Sequence, residues 1–266
     1  MDWKIGGIQS IMKTTNMKRL IIANWKMAPQ TLDEAKKIFA VMKRAKFSTR
    51  TIDAVICPPS TYFSDLVKGY SGKSFKFGVQ DVHFNNEVTS TGEISTEMVT
   101  NLGADFVIVG HAERRALGDT NEIVAKKLAH VIESGLKPIL CVGEVERDLH
   151  GEYFRYVERQ LVESLALVDK NKVSKIVIAY EPVWAIGTGN NAVPNRDIHQ
   201  MTIYIRKTLV ELYGNKIAMS VQIIYGGSVD PDNCAGILAE GEVSGLLIGR
   251  ASLNPYTFVD ILKRLA

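Results

Sequence analysis

No run of about 20 consecutive apolar residues interrupts this sequence, so nothing in it reads as a transmembrane helix. Charge of one sign is scarce as well. The 32 Lys and Arg against 29 Asp and Glu leave a net charge of +3, and no Lys/Arg cluster is interleaved with aromatic side chains, which argues against a nucleic-acid partner. Cysteine is rare. Cys57, Cys141 and Cys234 are an odd count, so they cannot all pair within the chain, and none forms a Cys-x-x-Cys. Reduced, buried thiols in a reducing compartment are expected, which places the chain in the cytoplasm. No Gly-x-Gly-x-x-Gly follows the first apolar run, which argues against a dinucleotide. The Asp, Glu and His spacings offer no metal-ligand set, and no cofactor is expected.

The composition that remains is that of one globular domain. Of the 266 residues, 46% are hydrophobic and 23% charged, enough for a sizeable core. Short apolar runs occupy residues 20–23, 53–57, 75–79, 106–109, 138–142, 176–180, 221–225 and 245–248. They are rich in Val, Ile and Leu with little polar alternation, as strands covered on both faces should be. Helical patterns lie between them, most clearly at 32–45, 121–134, 152–168, 197–213 and 255–265. Eight rounds of strand, loop and helix at a spacing of roughly 30 residues predict an α/β fold, the closed (β/α)8 barrel, for which about 250 residues is typical. An open doubly wound sheet rarely has eight strands each followed by a helix. Residues 1–16 stand outside the repeat and lack the apolar core of a signal peptide. They are expected to be an extension, disordered or not native, with the barrel domain spanning 17–266.

Candidate chemistry sits where the apolar runs end, since α/β folds place their sites at the carboxyl ends of strands. After the first run come Asn24 and Lys26; after the fourth, His111 opens a short helical turn; after the sixth comes Glu181. Exposed N–H groups and the helix dipole disfavour a positive imidazole at His111. Glu181 leads into Pro182, Val183 and Trp184 and then a Gly-Thr-Gly turn, a stiff start and a flexible tip that suit a lid over a small ligand. The loops at 226–229 and 249–253 are Gly/Ser-rich and precede helices, an arrangement that presents backbone N–H groups to a phosphate.

Five motifs occur in order: Asn-Trp-Lys-Met from Asn24, Gly-His-x-Glu-Arg-Arg from Gly110, Ala-Tyr-Glu-Pro-Val-Trp-Ala-Ile-Gly-Thr-Gly from Ala179, Tyr-Gly-Gly-Ser-Val from Tyr225, and Leu-x-Gly-x-Ala-Ser-Leu from Leu247. Together they resemble the triosephosphate isomerase family from about Met17 to the last residue. The resemblance implies interconversion of dihydroxyacetone phosphate and glyceraldehyde 3-phosphate through an enediolate. Glu181 would be the base, neutral His111 the electrophile and Lys26 the balancing cation. The family pairs a carboxylate base with a neutral imidazole, and those roles come from the resemblance. Asn24 would orient the substrate oxygen, and the N–H groups of Gly187, Ser228, Gly249 and Arg250 would hold the phosphate. Glu113 would support Lys26, and Ile186 and Leu247 would clamp over the carboxylate and strip it of water. A homodimer is implied, with Thr91 beside the partner's active site.

Three positions depart from the family pattern. Ala112 stands where a serine is usual, Arg250 replaces a frequent glycine, and Val88, Thr89 and Ser90 replace the usual small-small-aromatic tip of the loop before Thr91. Two other readings use the same residues. One is an isomerase of a four-carbon sugar phosphate, which would need a roomier pocket. The other is a catalytically retired barrel kept for binding, which should first have lost His111, Glu181 or Lys26.

Overall fold

The computed structural model describes residues 17–85, 87, 89–185 and 192–266. Its eight strands are β1 (Arg19–Asn24), β2 (Ile52–Cys57), β3 (Phe75–Val79), β4 (Phe106–Val109), β5 (Lys137–Val142), β6 (Val177–Tyr180), β7 (Gln222–Gly227) and β8 (Gly245–Ile248). All are parallel, and β1 pairs with both β2 and β8, closing the barrel. Closure depends on Gly245, because a Cβ there would lie 2.1 Å from the Leu20 carbonyl oxygen.

The near-continuous apolar runs have two buried faces. Leu20, Ile22, Val55, Phe106, Ile139 and Ala179 fill the barrel interior, together with Cys57 and Cys141. Ile21, Ala23, Ala54, Ile56, Val107 and Leu140 point outward, under the surrounding helices. Successive Cβ atoms on a strand face opposite ways, so one run supplies both cores.

The helices that cover the barrel are α1 (Leu32–Met42), α2 (Ser60–Lys68), α3 (Thr96–Asn101), α4 (Ala112–Ala116), α5 (Asn121–Glu133), α6 (Glu152–Ser164), α7 (Asn195–Tyr213), α8 (Asn215–Ser220), α9 (Cys234–Glu240) and α10 (Pro255–Arg264). Their starts follow from the sequence. Thr31, Ser95 and Thr120 accept from the N–H groups of Glu34, Met98 and Ile123, satisfying donors that a helix start leaves open. In α10, Pro255 takes the first turn and Asn254 caps it. The long helices end up to four residues before their apolar pattern does: the pattern at 152–168 gives a helix to Ser164, and then a turn closed by the Val168 N–H on the Leu165 carbonyl. Cys57, Cys141 and Cys234 are buried and free. Among the described residues, no helix is long and apolar enough to cross a membrane.

Candidate active site

At the carboxyl ends of the strands, a cleft of about 660 Å³ is lined by Asn24, Lys26, His111, Glu181, Ser228 and Gly249, with Leu247 and Arg250 also on its wall. Residues far apart in the chain are thus brought together by the barrel. Ile186 and Gly187 lie outside the described residues.

His111 is placed by a glycine turn. Gly110 has φ +69, and Arg115 and Val124 crowd the point where a side chain would start. The chain then enters α4, and His111 Nδ1 accepts the Glu113 N–H at 3.2 Å. A nitrogen that accepts carries no proton, so in the neutral ring the proton sits on Nε2. Nε2 lies 3.3 Å from Glu181 Oε1, and both side chains are almost fully buried. The Nε2–H group is therefore a donor facing the reaction cleft.

Glu181 is held by several elements. Its N–H donates to the Val142 carbonyl at 2.8 Å, which extends the β5–β6 ladder by one residue. Its Oε2 accepts the Ala112 N–H at 3.4 Å. The backbone thus supplies the contact at position 112 where no hydroxyl exists. Gly226 leaves room for the side chain: a Cβ there would meet Glu181 Cγ at 2.9 Å and Oε1 at 3.1 Å. Cys141 borders the same carboxylate. Burial pushes its thiol well above the ordinary value and the Glu181 charge pushes it further, so the thiol stays protonated and is a donor rather than a nucleophile.

Lys26 has φ +54, the left-handed region that costs a side-chain-bearing residue energy. Three contacts hold it there. Its N–H donates to Asn24 Oδ1 at 3.0 Å. Its carbonyl accepts from Gln80 Nε2 at 2.8 Å, and the same Nε2 group reaches the Cys57 carbonyl at 3.0 Å. Its ammonium donates to Glu113 Oε1 at 2.5 Å. Glu113 therefore serves two neighbours, through its N–H to His111 and through its carboxylate to Lys26. Arg250 is exposed, with its side chain away from the core.

Sequence reasoning assigned no site role to Gln80, Cys141 or Glu144. Glu144 is buried, and its Oε1 accepts from Arg147 at 2.9 Å, the Tyr180 hydroxyl at 2.9 Å and Trp184 Nε1 at 3.0 Å. It ties the end of β6 to Trp184, from which the chain runs into the segment after Ala185. The segment Cys141-Val142-Gly143-Glu144, which also resembles the family, was its signal in the sequence.

Comparison with known proteins agrees with this geometry. A family model described as triosephosphate isomerase matches residues 19–265. The triosephosphate isomerase of Moorella thermoacetica is 40% identical over 251 residues, covering 93% of this chain and 99% of that protein. Those of Carboxydothermus hydrogenoformans and Dictyoglomus turgidum are 38% and 39% identical over 248 residues, each covering 92% of this chain and 98% and 99% of their own lengths. With this match over nearly its whole length, and a carboxylate, an imidazole and a lysine converging at one end of a closed eight-stranded barrel, the chain belongs to the triosephosphate isomerase family.

Proposed function

We propose that Glu181, His111 and Lys26 carry out the isomerisation of triose phosphates in the cleft at the carboxyl end of the barrel. The chain is an aldose–ketose isomerase that interconverts dihydroxyacetone phosphate and glyceraldehyde 3-phosphate. The Glu181 carboxylate takes a proton from C1 of dihydroxyacetone phosphate, leaving an enediolate and a carboxylic acid. The acid returns a proton to C2 while the O1 hydroxyl proton passes to O2 by way of the His111 Nε2–H, and the aldehyde forms at C1. Negative charge develops on the substrate oxygens, where the His111 Nε2–H and the Lys26 ammonium stabilise it. Asn24 orients that end of the substrate. The N–H groups of Ser228, Gly249 and Arg250, with Gly187, bind the phosphate, and Ile186 with Leu247 cover the carboxylate.

The observation that carries this reading is the hydrogen bond from the Glu113 N–H to His111 Nδ1. It leaves the other ring nitrogen as a donor, opposite the base. Base and donor contact each other here, so the substrate carbons and oxygens must enter between them and Glu181 must leave the Ala112 N–H. Parallel assays with triose and tetrose phosphates test the reading. Turnover of the triose phosphates well above that of the tetrose phosphates is expected. Preference for the four-carbon substrates, or no isomerisation of either, would refute it.

Restoring a hydroxyl by Ala112→Ser adds one hydrogen bond to the resting carboxylate, a contribution of about 0.5–1.5 kcal/mol. Turnover should change by less than roughly tenfold. A steady-state assay that found activity abolished would show that position 112 has no room for the oxygen.

The working form is a cytoplasmic homodimer whose catalytic domain spans 17–266, with residues 1–16 as an extension. Support for the dimer comes from the surface beside the active site. Thr91, Gly92 and Glu93 are exposed on the loop after β3. Nearby, a cavity of about 360 Å³ is lined by Met27 and Leu117, which are 86% and 78% exposed. Large apolar side chains left open around a pocket mark a contact surface. Changing Ser90 and Thr91 together to Asp would set like charges against each other across a two-fold axis. Sedimentation should then report monomers, with turnover lower by roughly tenfold or more, a barrier increase of about 1.4 kcal/mol. Full activity in a monomer would rule out the coupling of interface and site.

A further inference from the structure

We propose that the amino-terminal end of the barrel is an anion site, taking a small phosphate-class dianion between Lys137 and Lys18 with the Ser174 hydroxyl as a neutral donor. This end faces away from the catalytic cleft. It contains a cavity of about 240 Å³, whose wall includes Lys18, Asp53, Lys137, Ser174 and Gln222. That space holds roughly eight waters at about 30 Å³ each, enough for a phosphate and a short organic group.

The charges around it do not balance. Asp53 is the carboxylate that meets the lysines, and it is shared: Lys18 Nζ lies 3.5 Å from its Oδ1 and Lys76 Nζ 3.4 Å from its Oδ2. Lys137 has no carboxylate within ion-pair distance among the described residues. Its ammonium donates to Gln222 Oε1 at 3.0 Å and lies 5.7 Å from the centre of the Phe106 ring. Lys76 lies 6.0 Å from the same ring, so two cations lean on one aromatic side chain. Asp105, at the entry to β4, is turned to the Phe77 N–H. Asp169 is taken up by the Asn171 N–H, and the Lys170–Lys175 turn it starts carries Lys170, Lys172 and Lys175 to the same end.

Burial holds the Lys137 ammonium below its ordinary value, and the like charge of Lys76 lowers it further than Asp53 restores it. An ammonium in that state is under-compensated, and an anion beside it would favour its charged form. Each group also comes from a different place in the barrel: Lys18 precedes β1, Lys137 begins β5, Ser174 precedes β6 and Gln222 begins β7. A bound dianion would therefore link the start of β1 to that of β5, strands that do not pair with each other.

Competitive acetylation with acetic anhydride near pH 8, read by peptide mass spectrometry, tests the site on the full chain. The anhydride reacts with the neutral amine, so Lys137 should be among the faster lysines. Inorganic phosphate should slow its labelling by about threefold or more relative to sodium chloride at equal ionic strength. A parallel arm with glycerol 3-phosphate separates free phosphate from a phosphate monoester. Protection in either arm supports the site, and the stronger arm identifies the source. In Lys18→Met the protection of Lys137 should be lost while that of Lys26, in the catalytic cleft, persists. Equal labelling of Lys137 in phosphate, glycerol 3-phosphate and chloride would overturn the proposal, as would undiminished protection in Lys18→Met.

Discussion

Shortening Glu181 to Asp is expected to lower kcat by about 100-fold or more while KM changes little. The substitution keeps the charge but withdraws the carboxylate by one methylene, on the order of 1 Å, and a misplacement of that size costs about 100-fold when proton transfer needs close approach. The phosphate contacts belong to other loops and should persist, so the loss should fall on kcat. Glu181→Gln should be worse, because an amide cannot accept the proton. Steady-state kinetics on both variants checks this, and turnover of the Asp variant within a few-fold of the parent would remove Glu181 as the base.

A comparable loss is expected from Gly143→Ala, a position that touches no substrate. A Cβ on Gly143 would lie 1.8 Å from the Glu181 carbonyl oxygen and 2.5 Å from its carbonyl carbon. Both are backbone atoms, and the Glu181 N–H is bonded to the Val142 carbonyl next door. The peptide that carries the base must shift by on the order of 1 Å, with the same cost of about 100-fold in kcat. Overpacking should also destabilise the fold by about 1–3 kcal/mol. For a domain of this size that lowers Tm by roughly 2–4 °C per kcal/mol. Gly226→Ala makes the informative contrast, since its Cβ would meet the Glu181 side chain rather than backbone. Activity should fall there with little change in Tm. Calorimetry and kinetics on the two variants separate the effects, and parental kcat in Gly143→Ala would show that the strand ends yield without moving Glu181.

The barrel was legible because its strands are buried on both faces, so that each reads as an unbroken apolar run with a chemically distinctive residue at its end. Asn24, His111 and Glu181 stand out for that reason, each just at or beyond the close of a run. The helices α2, α3 and α9 were less legible. They span 9, 6 and 7 residues, at most two and a half turns of 3.6 residues, too few for an amphipathic period to repeat. Of the supports of the site, Glu113 beside Lys26 came from the resemblance, and the roles of the others were not legible. Gln80 reaches the Lys26 carbonyl across 54 positions of sequence, and no local spacing encodes that contact. Cys141 read as a buried thiol, which it is, but its place beside Glu181 depends on the pairing of β5 with β6. Ala112 read as a lost hydroxyl, whereas its backbone N–H still meets the carboxylate.

The most direct test is to supply dihydroxyacetone phosphate to the purified chain in D2O and follow the products by NMR. Proton transfer through an enediolate predicts glyceraldehyde 3-phosphate with deuterium at C2 in part of the product, and Glu181→Gln should form it at least about 100-fold more slowly. No aldehyde product from the parent chain, or equal rates of its formation in the parent and in Glu181→Gln, would contradict the assignment.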